Sequence, residues 1–594
     1  MNIRLWSFLL IMFALPATAE TWYVRPDGGS LYSAKVKTGQ CDGKADAAYP
    51  GQGTNRHCAF NDVRDLWDDG SYGNYAWIIA GGDSVVIEGC ASNPNQRHPD
   101  APHCRIGWDS NTGPGAGRTW CAGSQPNFSC FNPNIPAGTA ERHTRILGAC
   151  ALKGNCNSGN TTIRSNLTQL FGGYGAGAVL NLTGTRYVDV EGLEITSHNG
   201  QCIKYGIPAY PRGCTVFPNP DSDDYADQGI EVDNVTSNVK LQDLYIHGLT
   251  ASGILGPIGG PITMTRVFVG FNGFAGWNFD YGNKPDAPGS SIVASYVTME
   301  GNGCDEEYPI VHAQFPAQIC YDSESGGFGD SWSGQDSKLD SFVCDHCVMD
   351  YNTKDGFIGP HTIINYLKIT NSESYGNMGQ QWKWGTSPGS TTIFENNLTV
   401  GNCRRMSAPL PGAPHDYNSH LSLFCRAAGD VFSFYSAANA TVLFANNTTI
   451  GYSATMFDFS CQTPKDCSSA HYAFRNNIVL GALNPEYNAG DAKLPALFYF
   501  SDPSVKIDLD HNLFFNLRSQ PCPRFGRPDL ICADPAFIKQ PPLTLTRESQ
   551  LDNFNFHPSH GSPAVAHGQP IAGLNTDFFG TARPNPPSIG AVEP

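Results

Sequence analysis

The stretch Asn352-Thr353-Lys354-Asp355-Gly356 carries the clearest repeat in the chain. Its pattern of an asparagine followed three residues later by a polar residue returns one 25-residue interval further on, as Asn377-Met378-Gly379-Gln380. The recurring positions form two columns with the same spacing: the asparagines Asn302, Asn352, Asn377 and Asn402, and the aspartates Asp280, Asp305, Asp330 and Asp355. A fixed period of about 20–30 residues is typical of a solenoid, in which each repeat stacks on the next.

The period predicts which side chains become neighbours. Residues one period apart in a solenoid of parallel strands lie about 4.7–4.9 Å apart. A column of carboxylates at that spacing repels itself unless protons, a cation or a basic side chain intervene. The aspartate column is therefore the first place to look for function.

Outside the columns, the chain from about residue 144 consists of short β-rich segments separated by Gly and Asn turns. The absence of helical patterns between these segments argues against alternating strands and helices, and an antiparallel sandwich would not keep a 25-residue column in register. Asn-Asn pairs at 396–397, 446–447 and 476–477 predict ladders of stacked side-chain amides. We therefore expect an all-β chain that folds as one right-handed parallel β-helix.

The expected domain plan has three parts. Residues 1–19 combine Arg4, an apolar run and Ala17-Thr18-Ala19, which is the pattern of a secretory signal peptide. Residues 20–82 form a first strand and a cap, with a capping helix predicted at 59–68. Residues 83–594 form the β-helix, with a long loop insertion at 89–143 and a closing segment at about 534–594.

Composition limits the possible partners and the location. The formal charge is −17, which has the wrong sign for a nucleic-acid-binding protein. No segment after the signal peptide is long and apolar enough for a transmembrane helix, so we expect a secreted or periplasmic protein. Twenty cysteines fit an oxidising compartment.

Sequence proximity suggests ten disulfides, each closing one loop. The expected pairs are Cys41/Cys58, Cys90/Cys104, Cys121/Cys130, Cys150/Cys156, Cys202/Cys214, Cys304/Cys320, Cys344/Cys347, Cys403/Cys425, Cys461/Cys467 and Cys522/Cys532. Cys344-Asp345-His346-Cys347 is also compatible with a zinc knuckle, but a single C-x-x-C in a cysteine-rich exported chain favours a disulfide.

The densest group of polar residues lies between 322 and 405. Asp330, Asp355 and the Gln380–Lys383 stretch should occupy one face of three consecutive coils. Two neighbouring carboxylates could bind Ca²⁺ or act as an acid/base pair, and a lysine among aromatic neighbours can have a lowered pKa. Further candidates for contact with a sugar chain are Trp382 and Trp384, as platforms for a sugar ring, and Arg404 and Arg405, as clamps for a carboxylate.

Two parts of the chain resemble known proteins. The tail, from Gly561-Ser562-Pro563-Ala564 to Ile589-Gly590-Ala591-Val592-Glu593, resembles the closing segment of bacterial parallel β-helix proteins. The turn at 352–358, with Asp330 before it and Gln381-Trp382-Lys383-Trp384-Gly385 after it, resembles pectate-lyase-like enzymes of polysaccharide lyase family 9.

The second resemblance implies a reaction. It implies that Lys383 is the base that removes the proton α to a uronate carboxylate, while Asp330 and Asp355 hold Ca²⁺ and the glycan is cleaved by β-elimination. Lys354 and Ile358 stand where that family has acids, so the calcium site is depleted. Lys354 offers a positive charge in place of a cation by pairing with Asp330 or Asp355.

Two other functions remain open at this point. One is a glycoside hydrolase on the same fold that uses Asp330 and Asp355 as its paired carboxyl groups. The other is a non-catalytic carbohydrate-binding or structural β-helix, because fold alone does not define chemistry. Asp280 and Asp305 are expected to be solvated turn acids.

Overall fold

Successive strands of the chain pair in parallel with strands of the preceding coil. In the computed structural model, the described residues are 19–66, 76–88, 105–107, 133–156, 167–173, 176–197, 226–249, 251–279, 289–303, 329–334, 337–352, 354–357, 362–377, 379–401, 430–452, 454–461, 467–483, 494–502, 504–518, 527–541, 543 and 554–594.

Almost all of the regular structure is β-strand. In chain order the strands are β1 (Thr21–Gly29), β2 (Ser84–Ile87), β3 (Arg105–Gly107), β4 (Thr144–Gly148), β5 (Thr168–Gly173), β6 (Ala176–Asn181), β7 (Arg186–Glu191), β8 (Leu193–Ser197), β9 (Ala226–Glu231), β10 (Ser237–His247), β11 (Ile254–Leu255), β12 (Pro261–Gly270), β13 (Trp277–Asn278), β14 (Ser291–Glu300), β15 (Trp332–Ser333), β16 (Lys338–Asp345), β17 (Val348–Asp350), β18 (Ile363–Thr370), β19 (Glu373–Tyr375), β20 (Trp382–Glu395), β21 (Leu398–Val400), β22 (Asp430–Ser436), β23 (Thr441–Ala445), β24 (Thr448–Gly451), β25 (Thr455–Cys461), β26 (His471–Arg475), β27 (Ile478–Gly481), β28 (Ala496–Phe500), β29 (Lys506–Asp510), β30 (Leu513–Phe515), β31 (Phe537–Lys539) and β32 (Asn555–Pro558).

The pairing of these strands identifies the architecture. Twenty-five strands form one continuous sheet, five more form a second sheet in the order β15-β13-β11-β9-β6, and the strands of both sheets pair in parallel throughout the described residues. Among all strand pairs of the described residues, only the short pair β31 and β32 near the C-terminus is antiparallel. Because parallel strands follow one another coil by coil without intervening helices, the chain is a parallel β-helix, as the sequence predicted.

The coils do not all contain the same number of residues. Tyr375 pairs with Asp350 on one side and with Val400 on the other, and both intervals match the predicted period. In contrast, Asp350 pairs with Glu300 and Val400 pairs with Ile450, and these two intervals are twice as long. The strands therefore pair in the same register in every one of these coils, while the loops between strands differ in length. Extra residues lie in the loops and do not change how the strands pair.

The predicted capping helix is much shorter than expected. Within 59–68 the described residues contain only a single 3₁₀ turn, Val63–Leu66. Phe60, Val63 and Leu66 are nevertheless fully buried against the first coil. The apolar spacing therefore marked a buried contact correctly, although it did not produce an α-helix. The one α-helix of the described residues is α1 (Ala149–Lys153).

Asparagine side chains form the predicted ladders inside the turns. Asn397, Asn447, Asn477 and Asn512 stack so that each of the first three donates from its side-chain amide to the amide oxygen of the next, at 2.9–3.0 Å. Each amide also donates to a backbone carbonyl of the preceding coil, as Asn447 does to Phe394 at 3.0 Å. A second ladder joins Asn272, Asn302, Asn352 and Asn377 in the same manner.

The residue before each rung of the first ladder sits in a left-handed conformation. Asn396, Asn446 and Asn476 have φ values of 58°, 52° and 55°. Asparagine tolerates this region better than most residues because its short side chain bonds to nearby backbone. The Asn-Asn pair thus has two separate tasks: the first residue makes the turn, and the second joins it to the next coil.

The interior between the ladders is filled by aromatic rings stacked along the axis. Phe394, Phe444 and Phe474 form one stack with ring centroids 5.4 and 4.7 Å apart. Trp382 and Phe432 belong to a neighbouring stack at 6.4 Å. The regular strand spacing places identical faces of successive coils in contact, so aromatic side chains extend the core from coil to coil.

The C-terminal segment packs against the turns that carry the ladders. The Arg583 guanidinium donates to the Glu593 carboxylate at 2.7 Å and to the Asn396 side-chain oxygen at 2.8 Å. Asn446 donates to the backbone of Ser588 and Gly590. The predicted closing segment is thus attached to the β-helix through hydrogen bonds to turn asparagines.

Four of the expected disulfides are present among the described residues. They are Cys41–Cys58, Cys150–Cys156, Cys344–Cys347 and Cys461–Cys467. The C-x-x-C at 344–347 is accordingly a disulfide. Cys532 is also disulfide-bonded, and the remaining expected pairs involve cysteines outside the described residues, where residues 1–18 of the predicted signal peptide also lie. The described chain contains no helix with the length and apolarity needed to cross a lipid bilayer.

Candidate active site

Asp330, Asp355 and Gln380 lie on three consecutive coils, as their spacing predicted. The backbone N–H of Asp355 donates to Asp330 Oδ1 at 2.9 Å, and the N–H of Gln380 donates to Asp355 Oδ1, also at 2.9 Å. Each carboxylate therefore satisfies the backbone of the coil that follows it. All three residues are buried, and Asp330 and Asp355 are only 1% and 0% exposed.

Below Asp330, the coil that pairs with it is not one 25-residue period earlier in the sequence. Trp277 pairs with Trp332, so the sequence interval between these two coils is more than twice the predicted period at this face. The residue in register below Asp330 is therefore Ala275. Asp280 and Asp305 themselves lie outside the described residues, and their regular spacing from Asp330 does not correspond to one coil.

Two lysines face the two buried aspartates. Lys383 Nζ donates to Asp355 Oδ2 at 3.1 Å, and Lys354 Nζ lies 3.6 Å from Asp330 Oδ2. The lysine side chains are 13% and 18% exposed, so both ammonium groups are held at the edge of the buried column. With one lysine for each aspartate, the site is a compact group of two cations and two carboxyl groups.

The pKa of Lys383 is raised, in contrast to the lowered value that the sequence suggested. Burial by itself lowers the pKa, but the neighbouring Asp355 and Asp330 outweigh it. Burial also raises the pKa of Asp330, with Lys354 opposing the shift and Asp355 adding to it. The charges across the strand, and not the aromatic residues beside Lys383 in sequence, determine the protonation of the lysine.

Trp382 and Trp384 do not form a sugar platform. Both are 0% exposed and belong to the hydrophobic core, where Trp382 packs on Phe432 and Trp384 packs on Phe434. Successive residues of a strand point to opposite faces, so the two indoles point inward while Lys383 points outward. Arg404 and Arg405, the other predicted substrate contacts, lie outside the described residues.

The group does not have the character of a divalent metal site. In each aspartate one carboxylate oxygen accepts a backbone N–H and the other faces an ammonium group. Asp330 Oδ2 and the side-chain oxygen of Gln380 accept no hydrogen bond, but Ca²⁺ requires about six to eight oxygen ligands. Two ammonium groups already balance the two carboxyl groups, so these residues do not fit Ca²⁺.

The structure adds four residues that the sequence argument missed. Asp430 lies in register with Gln380, because Trp382 pairs with Phe432 two residues later. In the next strands, Ser433 is in register with Lys383 and Asp458 with Ser433. Tyr435 lies close enough to Lys383 for their charges to interact.

Asp430 and Asp458 form a carboxyl pair. Their side chains are hydrogen-bonded to each other, and Asp458 also accepts a hydrogen bond from Ser460 Oγ at 2.8 Å. Burial, followed by the charge of Asp458, raises the pKa of Asp430 to about 7. The interval from Asp355 to Asp430 is three times the period of the aspartate column. That spacing was the available signal for its place in the column.

Comparisons with known proteins find similarity in structure only. No protein-family model matches the chain, and no curated protein matches its sequence. Among solved structures, the pectate lyase Pel9A aligns over 97% of this chain and 97% of its own, with 12% identity and a TM-score of 0.40. A rhamnogalacturonan lyase aligns over 95% and 99%, with 11% identity and a TM-score of 0.38.

A third similarity is more distant. The family PL6 alginate lyase AlyGC aligns over 78% of this chain and 52% of its own, with 10% identity and a TM-score of 0.27. At these identities and TM-scores the similarities assign neither activity nor substrate. The fold is established by the chain's own strand register, and its function has to be argued from the residues of the site.

Proposed function

We propose that the protein is a polysaccharide lyase that cleaves a uronate-containing glycan by β-elimination, with Lys383 as the base. The observation that carries the proposal is the position of Lys383. Its ammonium group lies at the outward edge of a buried acidic column, bonded to Asp355, with the second cation Lys354 on the same column.

The two lysines would have different roles: Lys354 would bind the substrate carboxylate, and Lys383 would accept the α proton. A uronate carboxylate that contacts the Lys354 ammonium has its negative charge partly neutralised, which makes the proton on the α carbon more acidic. Neutral Lys383 Nζ takes that proton, the C–H electrons form a carbon–carbon double bond, and the bond from the β carbon to the glycosidic oxygen breaks. The departing oxygen takes up a proton and becomes a free hydroxyl group, and the other product is an unsaturated uronide.

The buried aspartates would act through the lysines. Asp355 fixes the position of Lys383, and Asp330 fixes that of Lys354. Neither carboxylate is accessible to a glycosidic oxygen, since both are nearly fully buried and bonded to backbone. This observation argues against a glycoside hydrolase that uses Asp330 and Asp355 as its acid and nucleophile.

The overall charge of −17 would repel a polyuronate. Lys354 and Lys383 place two ammonium groups at the edge of the buried column, where a uronate carboxylate can contact them. The disulfides support a place of action outside the reducing cytoplasm. A secreted or periplasmic lyase is consistent with both features.

The test is an assay of purified protein on polygalacturonate, alginate and glucuronate-containing glycans. Elimination is detected by the ultraviolet absorbance of the new double bond conjugated to the carboxylate. We expect Lys383→Ala to lower kcat by about 10²–10⁴-fold. Lys368→Ala is the matched control, because Lys368 pairs with Glu395 on the surface of β18.

Three outcomes would contradict the proposal. New reducing ends without ultraviolet absorbance would indicate hydrolysis, and binding without any product would indicate a non-catalytic protein. If Lys383→Ala retained the elimination activity while remaining folded, a different residue would have to be the base.

A further inference from the structure

The carboxyl pair Asp430–Asp458 flanks Lys383 on the side away from Asp355. Asp430 begins β22, the strand that follows β20 in the sheet, and Asp458 lies in β25, one strand further. Lys383 thus sits between two acidic groups. The first group, Asp330 and Asp355, is ion-paired with lysines. The second group is the hydrogen-bonded carboxyl pair described above.

The second group is suited to hold a proton. Two carboxyl groups in hydrogen-bonding contact cannot both ionise without strong repulsion, so one of them keeps its proton. Asp430 is 6% exposed, and its neighbours include Thr455 and Lys383, whose side chains oppose the upward shift of its pKa to about 7. Tyr435 lies near both carboxyl groups, and the buried Tyr472 lies near Asp458.

The packing of the β-helix does not require such a pair. Burying carboxyl groups destabilises a folded chain unless they are compensated, and the other aspartates of the column are compensated by lysines and backbone N–H groups. Asp430 and Asp458 contact each other instead, and a proton on one of the two removes the repulsion between them. A pair of this kind next to a candidate base is a feature of proton-transfer sites.

The positions of the two groups match the reaction. Asp430 lies in register with Gln380 on the strand next to β20, and Lys383 Nζ reaches back to the same turn, where it bonds to Asp355. In β-elimination the proton leaves one carbon and the glycosidic oxygen leaves the next carbon of the same sugar ring. A base and an acid that meet at the same turn of neighbouring coils can therefore reach the two positions together.

We propose that the Asp430–Asp458 pair donates its shared proton to the departing glycosidic oxygen while Lys383 accepts the α proton. This inference depends on the elimination proposed above. The pair then carries the negative charge and Lys383 carries the positive charge. Transfer of the proton from the Lys383 ammonium to the pair restores the starting state, so the cycle consumes no external acid or base.

The test compares leaving groups. Asp430→Asn and Asp458→Asn variants are assayed on two uronides, one with a sugar and one with 4-nitrophenolate at the β carbon. A sugar alkoxide needs a proton to leave, whereas nitrophenolate leaves without one. We expect the variants to lose about 10²–10⁴-fold in kcat on the sugar substrate and less than about tenfold on the nitrophenyl substrate.

The controls separate this inference from the proposed function. Lys383→Ala should lose activity on both substrates, and Asp508→Asn, at an exposed acid of β29, should lose activity on neither. Equal losses of the Asp430 and Asp458 variants on both substrates, or no losses, would overturn the donor assignment while leaving the lyase proposal intact. A wild-type protein that forms no unsaturated product would overturn the lyase proposal itself.

Folding of the variants is checked by thermal denaturation. Asparagine resembles a protonated aspartate in size and polarity, so both variants should fold. If one of the two variants does not fold, the leaving-group comparison of the other decides the assignment.

Discussion

At the scale of single residues, charge placement across strands determines the chemistry of the site. Lys383 is bordered in sequence by two tryptophans, yet its side chain meets Asp355 because neighbouring strand residues point to opposite faces. The carboxylates hold its pKa above the ordinary value, despite burial. A lysine base in such surroundings is neutral only in a small fraction of molecules at neutral pH.

The pH dependence of activity follows from these two groups. Below about pH 7, where Asp430 is protonated, kcat/KM should rise as Lys383 loses its proton more often. Above about pH 7 the fraction of neutral lysine still rises but that of protonated Asp430 falls equally, so the profile should be flat up to the raised pKa of Lys383.

The measurement is kcat/KM from about pH 5 to about pH 11 for the wild type and Asp430→Asn. The variant has no carboxyl group to titrate at this position, so its lower activity should continue to rise above about pH 7. A wild-type profile that keeps rising through neutral pH would show that Asp430 is not needed in its protonated form.

At the scale of elements, the asparagine ladders hold the turns of successive coils together. Asn447 is an interior rung: it donates to Asn477 and Phe394 and accepts from the backbone and side chain of Asn397. These groups are buried, and a buried polar group without a partner costs about 1–3 kcal/mol. The ladder therefore stabilises the stack mainly because its removal would leave several groups unsatisfied.

Replacing Asn447 by Ala should lower the free energy of unfolding by about 3 kcal/mol or more, because several buried groups lose their partner together. The comparison variant is Asn365→Ala. Asn365 donates at the exposed surface to Asp340, so its loss should cost less than about 1 kcal/mol. Urea or thermal unfolding measures both. Equal stabilities of the two variants would contradict a structural role of the ladder.

At the scale of the whole molecule, the protein is acidic, but the positive and negative charges of the site are equal in number. The chain has 54 acidic residues against 37 lysines and arginines. At the column, Lys354 and Lys383 oppose Asp330 and Asp355 one for one. We infer that the ammonium group of Lys354 supplies the positive charge that a bound cation would supply in a more acidic turn.

We therefore expect Ca²⁺ or a chelator to leave the Tm of the wild type unchanged at this site. Lys354→Asp should have a lower Tm because its carboxylate adds to the buried Asp330 and Asp355. Ca²⁺ should raise the Tm of this variant, since a ligand that binds only the folded state stabilises it.

The matched control is Lys506→Asp, which changes the same charge on the distant strand β29. Ca²⁺ should affect it no more than the wild type. A Ca²⁺-dependent rise in the wild-type Tm that Asp330→Asn abolishes would show that the aspartates bind the metal and that Lys354 does not replace it.

Local repetition in the amino-acid sequence was sufficient to predict the architecture and part of the site. The common period of Asn352 and Asn377 and the Asn-Asn pairs predicted a parallel β-helix with amide ladders, and both are present. The same period placed Asp330, Asp355 and Gln380 on consecutive coils. These predictions hold because a strand that pairs in register with the next coil must repeat its turn residues at the interval of the coil.

Residues separated by inserted loops, in contrast, are brought together in ways that only the folded chain reveals. The long coil between Trp277 and Trp332 puts Ala275 in register below Asp330, and the doubled interval from Trp382 to Phe432 puts Asp430 in register with Gln380. Inserted residues leave the hydrogen-bonded register unchanged but alter the sequence distance. The pairing of strands depends on contacts between coils. It therefore determines which residues meet at the site, and a constant sequence period does not.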